Sequence, residues 1–346
     1  MNHTPTVSIL MPVYNGQEYL RPAIDSILAQ TFEDFELLIV NDGSKDDSQK
    51  IIESYKDPRI VLINQKNQGV ARSLNNGLEV AKGKYVRRHD ADDISTPDSL
   101  QKQIDFLESH PDYVMVCNQQ SFMTSSGKVA PNFRLPHNSY FNGKEYRDLS
   151  FDDFDTNTAS PVVHGTACYR REDVMKLGKY RPEFIVSEDN DLWLRLLEKN
   201  KIAILNQCTY YMRIHGGSAT ARYSHKIAHF RNLLLEFSND RRKTGTDPLM
   251  RGEEITPSPE EPTFVEEPKA TKGSRNRDDL RYMYNLAVNA KDYKLARKYA
   301  SEAISDGWKL PGNWKMLIFP ILGKKFVNMG VGFKSAFRST NNNTGK

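Results

Sequence analysis

The chain is poor in cysteine. Its 346 residues hold three, Cys117, Cys168 and Cys208, and none belongs to a Cys-x-x-Cys pair. That count excludes a disulfide scaffold and a thiolate zinc site, and it fits a reducing compartment. Long apolar runs are missing as well: nothing approaches the ~20 apolar residues of a spanning helix. We expect no secretion signal, because the N-terminus has no basic segment and Val7–Met11 is too short for an apolar core. The 20 Gly and 17 Pro show no collagen-like period, which excludes a fibrous chain. Two phosphate-binding signatures are absent. Without Gly-x-x-x-x-Gly-Lys-Ser/Thr a P-loop NTPase is disfavoured, and without Gly-x-Gly-x-x-Gly after the first apolar run so is a dinucleotide-dependent oxidoreductase.

What is present is an ordinary globular composition, 38% hydrophobic and 27% charged, with length for one large domain or two smaller ones. Net charge is +4, from 48 basic and 44 acidic residues. Residues Gly307 to Lys346 carry seven basic and no acidic side chains; taking seven from +4 leaves about −3 for the rest. The basic character belongs to the tail, and the body gives no case for a nucleic-acid partner.

The first third alternates strand-like and helix-like segments. Val7–Met11, Phe35–Val40, Ile60–Ile63, a run from Tyr85 ending at His89 or Asp90, and Tyr113–Cys117 read as buried strands. Gln17–Gln30, Ser44–Tyr55 (with Ser44-x-x-Asp47 as a capping box) and Val70–Ala81 read as helices. Thr96-Pro97 opens another, Thr as N-cap and Pro in the first turn. Repeated β-α-β units imply an α/β fold, a mainly parallel, Rossmann-like sheet flanked by helices. Such sheets bind ligands beyond the carboxyl ends of their strands. Further on, Asp189–Lys199 reads as a helix, Ile202–Leu205 as a strand and Tyr223–Arg242 as a long helix.

We therefore expect a body over 1–240, a Pro/Glu-rich linker or mobile loop over 241–277, and a helical, basic extension over 278–346. Glu253 to Pro268 holds six Glu and four Pro with no basic residue, too little apolar surface to offset its ordering entropy. Asp278 to Gly307 suits a helical pair resembling one tetratricopeptide repeat. Trp314–Phe326 mixes aromatic, aliphatic and Lys residues. It suits either packing on the body or peripheral contact with an anionic membrane surface. The expected location is cytoplasmic, with that contact at the inner face of the membrane.

Chemistry concentrates at the strand ends. In Asp90-Ala91-Asp92-Asp93, residues two apart in extended chain face one way, so Asp90 and Asp92 share a side. Converging carboxylates repel unless a cation lies between them, and hard oxygen ligands suit Mg2+ or Mn2+. The alternative is a solvated acidic turn capping the next helix. Asn41-Asp42-Gly43-Ser44 offers a carboxylate for a base or ribose, or an Asx-turn.

Five segments in order, Val7-Ser-Ile-Leu-Met-Pro-Val-Tyr-Asn15, Ile39-Val-Asn-Asp-Gly-Ser44, Asn67-x-Gly69-x-Ala71-Arg72, Asp90-Ala-Asp-Asp93 and Ser187-Glu-Asp-Asn-Asp-Leu-Trp-Leu-Arg195, resemble the family 2 glycosyltransferases. The resemblance covers roughly residues 5 to 220. It implies a GT-A fold, a nucleotide-sugar donor, Mn2+ or Mg2+, and inversion at the anomeric carbon. It puts Pro12, Val13 and Tyr14 along the base, Asp42 on the uracil or ribose, Arg72 near the nucleotide, Asp90 nearer the ribose and Asp92 on the metal. Asp93 is an added carboxylate whose role stays open.

An inverting displacement needs a carboxylate to take the acceptor proton. By resemblance that base is Asp189, with Glu188 and Asp191 as rivals; Glu188-Asp189 stands at a helix start, where the dipole favours negative charge. His164 and Gly165 would line the acceptor cleft, and His215 would reach the metal or the diphosphate. His89 stands where many relatives carry an apolar residue. The expected function is sugar transfer from a nucleotide-sugar, UDP-linked by family breadth, to a hydroxyl of a glycan or lipid-linked acceptor in cell-surface polysaccharide synthesis. Two alternatives remain. One is a non-catalytic nucleotide-binding scaffold. The other is a sugar nucleotidyltransferase, disfavoured because the loop after the first strand is Pro-Val-Tyr-Asn-Gly rather than Gly-rich and basic.

Overall fold

A computed structural model describes residues 3–129, 141–154, 160–215, 218, 224–255, 298, 299 and 301. The chain divides into two compact units. The first takes Met1–Phe122, Val129–Arg213 and Gly217–Phe264; the second takes Met123–Lys128, Ile214–Gly216 and Val265–Lys346. In the second unit Thr124 and Lys128 close a tight turn, with the Gly127 amide donating to the Thr124 carbonyl (2.9 Å) and the Ile214 amide to that of Met123 (2.9 Å). The helical pair and the basic segment expected beyond residue 278 lie outside the described residues, apart from 298, 299 and 301. Among the described residues no helix is long and apolar enough to cross a membrane.

The first unit runs β1 (Val7–Val13), α1 (Leu20–Leu28), β2 (Phe35–Asp42), α2 (Ser48–Glu53), β3 (Ile60–Gln65), α3 (Val70–Val80), β4 (Tyr85–Arg88), β5 (Ile94–Ser95), α4 (Ser99–Ser109) and β6 (Tyr113–Met123). It continues with β7 (Tyr146–Asp148), two three-residue 3-10 turns, β8 (Ala167–Arg170), α5 (Arg171–Lys176), α6 (Glu188–Leu197), β9 (Lys201–Arg213) and α7 (Ser224–Thr244). The strands form one sheet in the order β3-β2-β1-β4-β8-β6-β9-β5, with β7 on β9.

β1 and β2 are apolar almost throughout because both faces of this sheet are covered. Val7, Ile9, Met11 and Val13 face α1 and α4, and Leu10 and Leu38 face α3, α6 and α7. Helix α3 comes in close. At Gly77 a Cβ would stand 3.0 Å from Leu10 Cδ2 and 3.3 Å from Val40 Cγ2, so a bare Cα lets helix and sheet meet.

The GT-A-like sheet is parallel through β3, β2, β1 and β4, then turns antiparallel: β8 runs against β4 and β6, and β5 and β7 run against β9. Among the described residues only 3-10 turns lie between β7 and β8, too short to carry the chain back across the sheet. β6 and β9 are much longer than Tyr113–Cys117 and Ile202–Leu205. Polar residues interrupt their apolar pattern yet pair across the sheet: the buried Asn118 amide donates to the Thr209 hydroxyl, and that of Gln119 to Asn206 Oδ1 (3.1 Å) at a half-buried position.

Two helix starts shift. α2 begins at Ser48, and the Ser44-Asp47 box does not form; the Ser44 hydroxyl instead accepts the Asn15 amide (3.0 Å), while Asp46 accepts those of Ser48 and Gln17 (each 3.0 Å). α4 begins at Ser99, because the Thr96 hydroxyl is spent on Asp98 Oδ1 (2.6 Å).

Candidate active site

The parallel strands β1–β4 end on one edge of the sheet, at Val13, Asp42, Gln65 and Arg88. The loops there are tied together. Asn15, in the left-handed region (φ 52°), accepts the Lys45 amide on Oδ1 (2.7 Å), and the Gly16 amide donates to Ser48 Oγ (2.9 Å). Val13 is buried and Pro12 half-buried. Tyr14 is 41% exposed, an aromatic ring offered to solvent at the tip of β1.

Asp42 is buried and heavily used. Oδ1 accepts from Gln65 Nε2 (2.7 Å) and the Gln68 amide (2.8 Å), and Oδ2 from the Gly69 amide (2.9 Å), just before α3. Its carboxylate fastens the β2 loop to the β3 loop. A carboxylate offers about four lone-pair sites, so one remains for a ligand. Gly43 (φ +72°) is needed beside it, since a Cβ would lie 2.8 Å from the Asn67 amide nitrogen. Arg72 is exposed on the first turn of α3.

The acidic turn after β4 is held by β9. Asp90 takes the Arg88 guanidinium on Oδ1 (2.7 Å) and the Tyr210 hydroxyl on Oδ2 (3.1 Å). Asp93, which sequence left without a role, is buried and accepts the Arg213 amide (2.6 Å). Arg213 Nε donates to the Asp92 carbonyl (2.7 Å). Burial, with Asp92 and Asp90 nearby, pushes the Asp93 carboxyl well above the ordinary range, while its bond to the Arg213 amide clamps the turn.

The second acidic element is the start of α6. Ser187 precedes it with φ 64°, an uncommon conformation for a residue with a Cβ. Glu188 is buried, and Asp189 Oδ1 accepts the Asn190 amide (2.8 Å). Burial raises both, Glu188 to about 8 and Asp189 to about 6. Asp90 pushes each the same way, and Arg88 opposes. The two carboxyls titrate as a pair, and burial favours holding a proton on it above the ordinary carboxylate range.

His164 and Gly165 join the two acidic elements. His164 Nδ1 stands 3.7 Å from Glu188 Oε1, and Nε2 is 3.0 Å from the Tyr180 hydroxyl. Burial and Arg88 hold the imidazole well below its ordinary value, so this is a neutral acid–imidazole contact and not an ion pair. Gly165 packs on the other side. A Cβ there would overlap the Tyr210 hydroxyl and lie 2.5 Å from Asp90 Oδ2. The fold thus gathers Asp90, His164, Gly165, Glu188 and Asp189.

Other candidates fall elsewhere. Asp191, a rival base by resemblance, is 0% exposed and bonded to Arg195 (2.9 Å), with Arg181 at 3.6 Å. That ion cluster continues through Asp247 to Arg241 and Glu198 and fixes α6 to α7. Asp191 is corrected to a structural anion: with no exposed surface, it has no route to an acceptor hydroxyl. His215 belongs to the second unit. His89 is buried, with Nδ1 on the Asp90 carbonyl (2.8 Å) and its ring edge-on to Tyr210.

Sequence reasoning missed Arg88 and Tyr210. The signal for Arg88 was present: Arg87-Arg88 puts two cations at the end of an apolar strand buried on both faces, where charged residues are rare. Tyr210 lies 120 residues from Asp90 and carries no local signal.

The donor set fits a hard divalent cation. The carboxyls of Asp90, Asp92 and Asp93 crowd one turn, and burial, with the charges of Asp92 and Asp90, pushes that of Asp93 up. Among the described residues no group of three or more His, Cys, Asp or Glu forms a ready cage. Mg2+ or Mn2+ would meet oxygen ligands from this one turn and would need waters and substrate phosphates to complete its shell.

Comparison with known proteins bears on the family and the fold. The model for glycosyl transferase family 2 matches residues 8–178. An uncharacterized glycosyltransferase of Rickettsia prowazekii is 30% identical over 241 residues, 68% of this chain and 72% of that one. Another, of Methanocaldococcus jannaschii, is 32% identical over 244 residues, covering 66% and 80%. Among solved structures, S. aureus TarS 1-349 in complex with UDP superposes with a TM-score of 0.51 at 17% identity, over 88% of this chain and 93% of that one. Its complex with UDP-GlcNAc gives 0.52 over the same shares, a likeness of fold.

Proposed function

This chain belongs to glycosyltransferase family 2, and on that premise we propose that it moves a sugar, with inversion, from a UDP-linked donor to a hydroxyl of a glycan or lipid-linked acceptor. The observation that carries this reading is the His164–Gly165 junction, which brings a strand-end acidic turn against a pair of carboxyls of unequal proton affinity. The UDP assignment draws on TarS, the fold neighbour crystallised with UDP and UDP-GlcNAc. Cell-surface polysaccharide synthesis is the setting inferred from the family resemblance.

In this mechanism Tyr14 packs on the base, and Asp42 uses its remaining lone pair on the uracil or ribose. Arg72 meets the nucleotide from α3, and Asp90, braced by Arg88 and Tyr210, takes the ribose side. Asp92 would hold Mg2+ or Mn2+, which when bound neutralises charge building on the leaving diphosphate. Asp189 accepts the acceptor proton as the hydroxyl attacks the far face of the sugar. The helix start supports its charge, and a pKa near 6 leaves it ionised at pH 7. Glu188, pushed up by burial and by Asp189, leaves Asp189 as the base of the pair beside His164 and Gly165.

The test is a donor-hydrolysis screen over UDP-, GDP- and dTDP-sugars, with Mn2+ and with chelator, on wild type and Asp189→Asn. Slow metal-dependent release of UDP is expected, with transfer lost in D189N while UDP binding persists. Normal turnover by D189N would refute the base, and turnover untouched by chelator would refute the metal.

A further inference from the structure

We propose that Gln65 is a positioning residue that sets which base this site takes: locked between α3 and β2, it fixes Asp42 as the acceptor for a base edge that offers a ring N–H, uracil or thymine, against cytosine. The inference deepens the transfer reading above and rests on it; that reading leaves Asp42 on either the uracil or the ribose and assigns Gln65 no part.

Gln65 stands opposite Asp42 on the last rung that joins β3 to β2. Ser73, fully buried on α3, fixes which way its carboxamide turns. The Ser73 hydroxyl commits its proton to the Gly69 carbonyl (3.0 Å), so toward Gln65 it can only accept. The amide nitrogen must therefore face it, and Nε2 donates both to Ser73 Oγ (3.1 Å) and to Asp42 Oδ1 (2.7 Å). Oε1 faces the other way and accepts from Asn76 Nδ2 (2.7 Å). The Gly69 amide closes the circuit on Asp42 Oδ2 (2.9 Å). Turning the carboxamide over would set its oxygen against the Asp42 carboxylate and its hydrogens against those of Asn76.

Both Nε2 hydrogens are in use, so Gln65 has none to offer a ligand and acts through Asp42. With the Gln68 amide also on Oδ1 (2.8 Å), that oxygen is filled, and the open lone pair of Asp42 lies on Oδ2. Its neighbours thus hold Asp42 as an acceptor of fixed direction. A ribose hydroxyl rotates to suit its partner and can donate or accept, so it does not need such fixing. A heterocycle cannot turn its ring hydrogen. Uracil and thymine carry an N–H between their two carbonyls, where cytosine carries a bare nitrogen. Against a fixed carboxylate oxygen the first two bond, and cytosine meets it lone pair to lone pair. The neighbouring aromatic side chain favours a base at this place too. β1 and β2 pair through Val13 and Asn41, so Tyr14 follows at the level of Asp42 and presents an exposed ring on which a base can pack.

Titration calorimetry of UDP and of CDP, with Mn2+, into the full chain compares wild type with Gln65→Met and Gln65→Glu, and urea midpoints check that each variant folds. The two nucleotides share ribose and diphosphate, so the ratio of their dissociation constants reads the base alone. Wild type should prefer UDP by about tenfold or more. Q65M keeps the length of the side chain and removes its amide. Asp42 then has a second open lone pair and no fixed direction, and the ratio should fall to about threefold or less. Q65E sets a second carboxyl against Asp42, and a proton shared between the two can be offered to the bare nitrogen of cytosine, so the ratio should fall at least as far. A residue that merely braced the loops would weaken both nucleotides together. A ratio in the variants equal to that of wild type, at whatever affinity, therefore overturns the proposal. If one variant does not fold, the ratio in the other decides. Equal affinity of wild type for UDP and CDP overturns the role of Gln65 and leaves the transfer reading in place; binding of neither overturns both.

Discussion

Replacing Gly165 by Ala is the sharpest single perturbation of the site. The added methyl would overlap the Tyr210 hydroxyl and stand 2.5 Å from Asp90 Oδ2. Both neighbours are held, Tyr210 by burial in the sheet and Asp90 by Arg88, so neither can swing aside freely. Overpacking of this kind costs about 1–3 kcal/mol. Displacing the Tyr210–Asp90 hydrogen bond, which ends on a charged group, adds about 1.5–3 kcal/mol. We therefore expect G165A to lose roughly 2.5–6 kcal/mol in urea denaturation, and the folded protein to bind UDP more weakly. A double-mutant cycle with Tyr210→Phe isolates the cause. Y210F alone should destabilise, while in the G165A background it should cost less or even restore stability, because the hydroxyl it removes is the atom overlapped. A coupling above about 1 kcal/mol is expected between touching residues. Strict additivity of the two changes would refute the packing argument, and unchanged UDP affinity in G165A would show that Gly165 does not set the position of Asp90.

Three further outcomes follow. Asp191→Asn leaves Arg195 without its buried counter-charge, while Arg181 keeps Asp247, and should cost about 3–5 kcal/mol by urea denaturation, while the folded fraction keeps its UDP affinity; a loss of turnover without loss of stability would return Asp191 to the catalytic set. Transfer should fall about fivefold between pH 6 and pH 5, because Asp189, raised to about 6, must be ionised to act; a rate flat to pH 5 would exclude it as the base. Glu188 is raised from its ordinary 4.5 to about 8 in the folded chain. Folding therefore takes up a proton across that window, and stability contributed below it is lost as pH rises through it. Glu188→Gln should flatten this fall and unfold at higher urea than wild type at pH 8; an unaltered slope would contradict the assignment.

Much of the fold was legible in the chain because the parallel half of the sheet is written locally. Short apolar runs rich in Ile, Leu and Val, such as Leu37–Val40, read as strands buried on both faces, and the apolar spacing of Leu20, Ala23, Ile24 and Ile27 states the face that α1 buries. The antiparallel half was not, since Asn118, Gln119, Asn206 and Thr209 break the alternation and are acceptable in a core only once they have found each other. The same division holds at the site. Asp90, Asp92, Glu188 and Asp189 stand in short contiguous motifs. What arranges them, Tyr210 on Asp90 and His164 against Glu188, depends on contacts across the sheet that no motif spells out. Asp191 misled for a related reason: adjacency to Asp189 in sequence says nothing of which side of α6 a residue takes, and two residues on, the helix has turned it into the core.

The central claim is that the carboxylates closing β4 serve a nucleotide-sugar through a divalent cation. Titration calorimetry of UDP into the full chain addresses it most directly. Wild type with Mn2+ should bind saturably, with binding lost on chelation and in Asp92→Asn. If UDP, GDP and dTDP all leave the wild-type protein unbound with manganese and without it, the account is wrong.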